Sequence, residues 1–163
     1  MRTRAEQVES IRADQQFWRD LAAEVGPQRY AEPGPMGEWS FGDMAGHLAG
    51  WRRRTIERLE AGARGEPEPL PRWPPELDDD GGAGTDAVND WIREQDAGRT
   101  ADELVAEYDA SYDRLIAAIE GIPDDRMTDP DAFPWIGGPA IEADFTRHLH
   151  DEHVAPLRAW LDG

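Results

Sequence analysis

The sequence predicts an all-α protein, a four-helix bundle with long connections. Amphipathic stretches with helical spacing recur four times behind helix-start signals, and period-two alternation is almost absent. No glycine signature of a strand-based nucleotide fold occurs. Gly42, Gly46 and Gly50 recur at helical spacing, which suits close helix packing better than phosphate binding. At 163 residues the chain fits one domain, 1–163, with a sizeable core.

Thr3 and Glu6 form a capping box for the first helix, in which Val8, Ile11, Gln15, Trp18, Leu21 and Val25 recur at helical spacing until Gly26-Pro27 stops them. Gln28 to Gly37 reads as a connection with Pro33 and Pro35. Ser40 with Asp43 caps the second helix, expected to run to about Ala61, with Met44, Leu48, Trp51, Thr55 and Leu59 on one stripe and His47 at its edge. Arg52-Arg53-Arg54 on this helix reads as a solvated face partnered by Glu57 and Glu60.

From Gly62 to Gly84 the composition turns to Gly, Pro and acidic residues. Leu70 and Trp73 would be wasted on a solvated linker, so this segment is expected to pack over the body as a lid. Asp78 to Asp80 lacks the spacing of a calcium loop and reads as solvated charge. Thr85 is the expected cap of a short helix carrying Val88, Trp91 and Ile92. Thr100 with Glu103 opens the third main helix, striped by Leu104, Tyr108, Tyr112, Leu115 and Ile119 and closed by Gly121. Phe133 and Trp135 are expected to plug one end of the core, and the fourth helix is expected over about Ala140 to Trp160.

Composition narrows the function. Seventeen basic residues, all arginine, stand against 35 acidic ones for a net charge of −18, a surface that repels phosphate backbones and anionic lipid. Nucleic-acid and membrane partners are therefore disfavoured. The N-terminus has no secretory apolar region, so a cytoplasmic protein is expected. The absence of cysteine excludes disulfides, thiolate metal sites and a cysteine nucleophile, and any thiol chemistry must use an external thiol.

The chemistry-bearing residues are the histidines: His47, then His148, His150 and His153. At about 100° per residue, His153 points inward, His150 and Glu152 flank it on opposite sides, and His148 points further out. A divalent metal such as zinc needs three converging neutral imidazoles or carboxylates and an open position. His47, His150 and His153 are the expected ligands, with Glu152 as carboxylate ligand or general base. Neither His148 to His153 nor His150 to His153 has the usual four-residue spacing, and satisfied core histidines are the competing reading.

Trp39-Ser40 through His47-Leu48-Ala49-Gly50-Trp51 resembles the helix-two signature of the DinB-like superfamily, four-helix bundles of DinB/YfiT type that include bacillithiol and mycothiol transferases and maleylpyruvate isomerase. Val88-Asn89-Asp90-Trp91-Ile92, Gln95, Phe133-Pro134-Trp135 and Glu152-His153 to Trp160-Leu161 are similar to the ClbS/DfsB branch, which includes self-resistance proteins against reactive natural products. In metal-binding members a helix-two histidine joins a pair four residues apart on the last helix. His47 and His153 match two of those positions, and Leu149 stands at the third. The resemblance therefore implies a site that is incomplete, rebuilt with His150 or His148, or metal-free. In the metal-free case it implies cavity-facing tyrosines, here Tyr108 and Tyr112.

The function expected is a small-molecule enzyme, a hydrolase or thiol transferase acting on an electrophilic metabolite. The cofactors it could take are a divalent metal (zinc, nickel or manganese) and, where water is not the nucleophile, an external low-molecular-weight thiol. His47, His153, Glu152 and Tyr108 would carry the chemistry, and Trp51, Trp73 and Tyr112 would shape the substrate pocket. The alternative is a binding protein that sequesters a reactive small molecule. Either way the chain is expected to work as a monomer or homodimer.

Overall fold

The computed structural model describes residues 2–77 and 82–163. Its main helices are α1 (Arg4–Val25), α2 (Phe41–Ala63), α3 (Gly82–Gln95), α4 (Ala101–Glu120), the five-residue α5 (Asp124–Thr128) and α6 (Val154–Asp162). All three capping boxes read from the sequence are formed: Thr3 with Glu6, Ser40 with Asp43, and Thr100 with Glu103 each exchange bonds in both directions. Gly26 ends α1 at φ 82°, a conformation open to glycine at little cost.

The core joins α1, α2, α4 and the C-terminal helix, with Trp18, Phe41, Met44, Leu59, Tyr108, Tyr112, Leu115, Ile119 and Leu149 all buried. Helix α4 is central and packs on both α1 and α2. This is the all-α four-helix arrangement the periodicity predicts, with additions. The proline-bearing connection before α2 contains a short antiparallel hairpin, β1 (Pro33–Met36) and β2 (Trp39–Ser40), with a register irregularity between Pro33 and Met36.

Several boundaries differ from expectation. Thr85 lies a turn inside α3 and is not its cap. The fourth helix does not begin at Ala140. Residues Ala140–Glu142 form a single 3₁₀ turn, and Asp144 then draws the chain into a local turn by accepting bonds from the Thr146 amide and hydroxyl. Helical structure resumes at residue 147 and passes through a π-helical turn, Leu149–His153, before α6.

The segment after α2 is pinned to the body. Trp73 is buried in a second small core with Val88 and Ile92, its ring 5.1 Å from that of Trp51. Arg54 donates to the Pro69 carbonyl at 2.5 Å, and Glu68 accepts ion pairs from Arg54 and Arg58. Leu70 is the exception. It is 85% exposed, against the expectation that it packs. Asp78 to Asp80 lies outside the described residues.

Gly42, Gly46 and Gly50 line the face of α2 that meets α3 and the start of α4. A Cβ on them would stand 2.6 Å from Ala101 Cβ, 2.5 Å from Asp96 Oδ2 and 2.7 Å from Ile92 Cγ2. They are packing glycines, as their spacing predicts.

Candidate metal centre

His47 comes from the second turn of α2, whose register is set by the Ser40 cap, and it faces the C-terminal helix at 5% exposure. The other two histidines come from the π-helical turn and its entrance. In an α-helix residues five apart differ by about 140° around the axis and diverge. A π turn takes one extra residue per turn, which brings positions i and i+5 over one another. The Val154 amide donates to the Leu149 carbonyl, the i to i+5 bond that defines such a turn. His148 and His153 consequently point to the same place.

Nε2 of His148 lies 3.3 Å from Nε2 of His47 and 3.3 Å from Nε2 of His153. One ligand atom from each of the three histidines lies within 4.8 Å of the other two. Zinc–nitrogen bonds of about 2.0–2.1 Å in tetrahedral geometry hold their nitrogens about 3.3 Å apart, a spacing that both contacts of His148 match.

The electrostatics agree. Burial pushes His47 down to about 3, helped by its neighbours His148 and His153. Burial, then His148, pushes His153 down to about 4. His148 is also lowered, first by burial and further by the Arg52 charge, while Glu152 opposes the shift. All three imidazoles are therefore neutral near pH 7, the form that ligates metals. His153 Nδ1 faces the weak acceptor Met36 Sδ at 3.3 Å, and His47 Nδ1 is buried without a partner among the described residues. The hairpin closes this end of the bundle, Met36 lying on His153 and the Trp39 ring 5.3 Å from that of His47.

The structure brings together two of the three ligands expected from the sequence and exchanges the third. His150 turns away to Asp14 on α1, its ring tilted against that of Phe17 with centroids 4.9 Å apart, and His148 takes the place expected of it. The reason is the π turn, which a fixed helical period cannot represent. Glu152 is 67% exposed, with its carboxylate 3.4 Å from His148 Nε2, at the solvent rim of the cluster.

Tyr108 and Tyr112 are buried beside the site, but their hydroxyls are engaged. Tyr108 accepts from Arg52 at 2.8 Å, and Tyr112 donates to Asp14 at 2.7 Å. Burial raises both phenols. Trp51 and Trp73 lie elsewhere. Trp51 donates to Asn89 at 2.8 Å and, with Trp73, packs towards α3, where Trp73 and Trp91 help line a cleft between α2 and α3.

Arg52 corrects the reading of the arginine cluster as a solvated face. It is 6% exposed, donates to Ser111 and Tyr108, and lies over the rings of Tyr108 and Tyr112 at 4.4 and 3.9 Å. Among the described residues no carboxylate pairs with it. Its neighbours are more conventional, Arg53 pairing with Glu107 and Arg54 with Glu68. No local sequence signal marks Arg52, because its partners come from α4.

The profile of the DinB superfamily matches residues 10–154, nearly the whole chain and every element that builds this centre. The chain belongs to the DinB superfamily. No curated protein and no solved structure matches it. Within the superfamily fold the centre joins α2 to the last helix, and in this member the second contribution comes from histidines five residues apart. No helix among the described residues is long and apolar enough to cross a membrane.

Proposed function

We propose that this DinB-superfamily chain is a metal-dependent small-molecule enzyme, a hydrolase or thiol transferase that disarms an electrophilic metabolite. Such an activity would serve detoxification or natural-product self-resistance. The observation that carries the reading is the convergence of three neutral imidazoles whose ligand atoms lie within 4.8 Å of one another, with Nε2 of His148 3.3 Å from Nε2 of each of the other two. An all-imidazole donor set suits zinc or nickel better than manganese, which prefers oxygen ligands. When bound, the ion would supply the Lewis acidity that makes a water or thiol nucleophilic at neutral pH.

The chain's own residues supply the rest. Glu152, at the rim beside His148, is placed to take the proton of the incoming water or thiol. The thiol must be external, because the chain has no cysteine. Arg52 sets a buried positive charge near enough to His148 to lower its pKa, and that charge favours an anionic nucleophile. Tyr108 and Tyr112 hold the guanidinium in place. Trp39 and Met36 form the apolar wall nearest the histidines. Trp73, with Trp51 packed behind it, would touch only a substrate long enough to reach the cleft between α2 and α3.

Incubation of the zinc-loaded protein with an epoxide- or cyclopropane-bearing electrophile, with and without a low-molecular-weight thiol, tests this reading. Multiple turnovers with a ring-opened product are expected, lost on replacement of His153 by glutamine. Protection limited to one equivalent, with recovery of intact ligand, would replace the enzyme reading by sequestration.

A further inference from the structure

The π-helical turn needs an explanation of its own. π turns are rare and occur mostly as single turns within α-helices, so this one calls for something that holds it there. If Leu149–His153 relaxed to α-helical register, His148 would rotate out of line with His153, and Leu149 would come to stand four residues before it on the same stripe. The third donor would then be a leucine. Whatever holds the turn therefore holds the centre.

One side chain of the turn is tied to another helix by a hydrogen bond. His150 Nε2 contacts Asp14 Oδ1 of α1. Asp14 is itself 6% exposed and accepts a 2.7 Å bond from Tyr112 on α4 at its other oxygen. The contact thus runs through a carboxylate anchored between two core helices, while Phe17 on α1 supports the imidazole ring at 4.9 Å. The remaining polar contacts of the turn do not reach α1. Asp151 pairs with Arg147, Glu152 with His148, and His153 meets Met36 and His148. Among the described residues, His150 is the only member of the turn hydrogen-bonded to α1.

We propose that His150, clamped to α1 by Asp14, is a positioning residue that holds the Leu149–His153 segment in its π-helical turn and so keeps His148 and His153 facing one another. It rests on the metal reading of the three histidines for its consequence, and on the His150–Asp14 contact and the π-helical backbone for its mechanism. His150 ligates nothing in this scheme. It fixes the phase of the helix, so that the residue expected from the sequence as a ligand instead makes room for the real one.

Two variants of the full-length protein test this. In His150→Ala the contact is lost, and in His150→Gln the side-chain amide nitrogen replaces Nε2 and donates to Asp14. The Val154 amide, whose partner is the Leu149 carbonyl, reports the turn through hydrogen exchange. In His150→Ala we expect its exchange to accelerate at least about tenfold while α4 amides are unchanged, and zinc affinity, read by competition with a chromophoric chelator, to fall about 10- to 100-fold. His150→Gln should restore both. Wild-type exchange at Val154 together with wild-type zinc affinity in His150→Ala would overturn the proposal. If the wild type binds no zinc, the metal reading fails by itself, and Val154 exchange still decides whether the clamp exists.

Discussion

His148 and His153 are five residues apart in sequence, yet their Nε2 atoms lie 3.3 Å apart. That pairing is possible because one helical turn is π-helical, and it converts a last helix with the wrong ligand spacing into one that completes a three-histidine centre with His47. The consequences can be measured on stability, on pH dependence and on the neighbouring charges.

The buried histidines predict an acid sensitivity. His47 and His153 take up protons near 3 and 4 in the folded chain, because burial disfavours the charged ring, whereas the unfolded chain takes them up near 6.5. Between those limits the unfolded state binds more protons, so stability falls as pH drops from about 6.5 towards 4 and the effect saturates near 3. Each histidine adds a slope of up to about 1.4 kcal/mol per pH unit. Urea unfolding of the metal-free wild type and of His47→Leu should show a stability difference that shifts in the variant's favour across this window. A constant difference would contradict the assignment.

Arg52 predicts a separation of stability from chemistry. A buried guanidinium with hydroxyl and aromatic partners can be replaced by an apolar side chain of similar length at little cost, so Arg52→Met should fold within about 1–2 kcal/mol of wild type. Its loss removes the positive charge near His148, so the acidic limb of the pH–rate profile should move to higher pH. An unshifted limb would detach Arg52 from the nucleophile.

The segment after α2 predicts a contrast between two apolar residues. Trp73 is buried against Trp51, so Trp73→Ala should cost about 3–5 kcal/mol in a denaturant titration. Leu70 is 85% exposed, and Leu70→Ser should stay within about 0.5 kcal/mol. Equal losses would mean that the segment packs differently.

Gly62 predicts the cost of crowding the end plugged by Phe133. A Cβ there would stand 2.3 Å from Phe133 Cε1, too close without a shift of a fully buried ring. Gly62→Ala should lower stability by about 1–3 kcal/mol despite alanine's better helix propensity. A stabilised variant would show that the ring yields freely.

The elements with local signals were legible in the sequence. Three capping boxes, the Gly26 stop and the apolar stripes of α1 and α4 follow from chemistry within a few residues, and the structure forms each of them, whereas the α2 stripe holds at Met44, Leu48 and Leu59 but buries Arg52 and Ile56 in place of Trp51 and Thr55. The centre was legible in part. His47 and His153 fall on inward faces at a fixed helical period, but that period places His148 outward and makes His150 the better third ligand. A π turn departs from the fixed helical period, and that period is all a stripe reading has to go on. Arg52 failed for a different reason, since a triplet of arginines reads as solvated until Tyr108 and Tyr112 close over one of them. The hairpin before α2 was hidden by its two prolines, which read as a plain connection.

The most direct test of the account is the metal content of untagged protein, measured by elemental analysis after zinc, nickel or manganese is added and excess is removed. The account predicts one tightly held ion per chain, zinc or nickel retained in preference to manganese, and its loss in each of His47→Ala, His148→Ala and His153→Ala. No retained ion under any of these conditions, or full retention in His148→Ala, would contradict it.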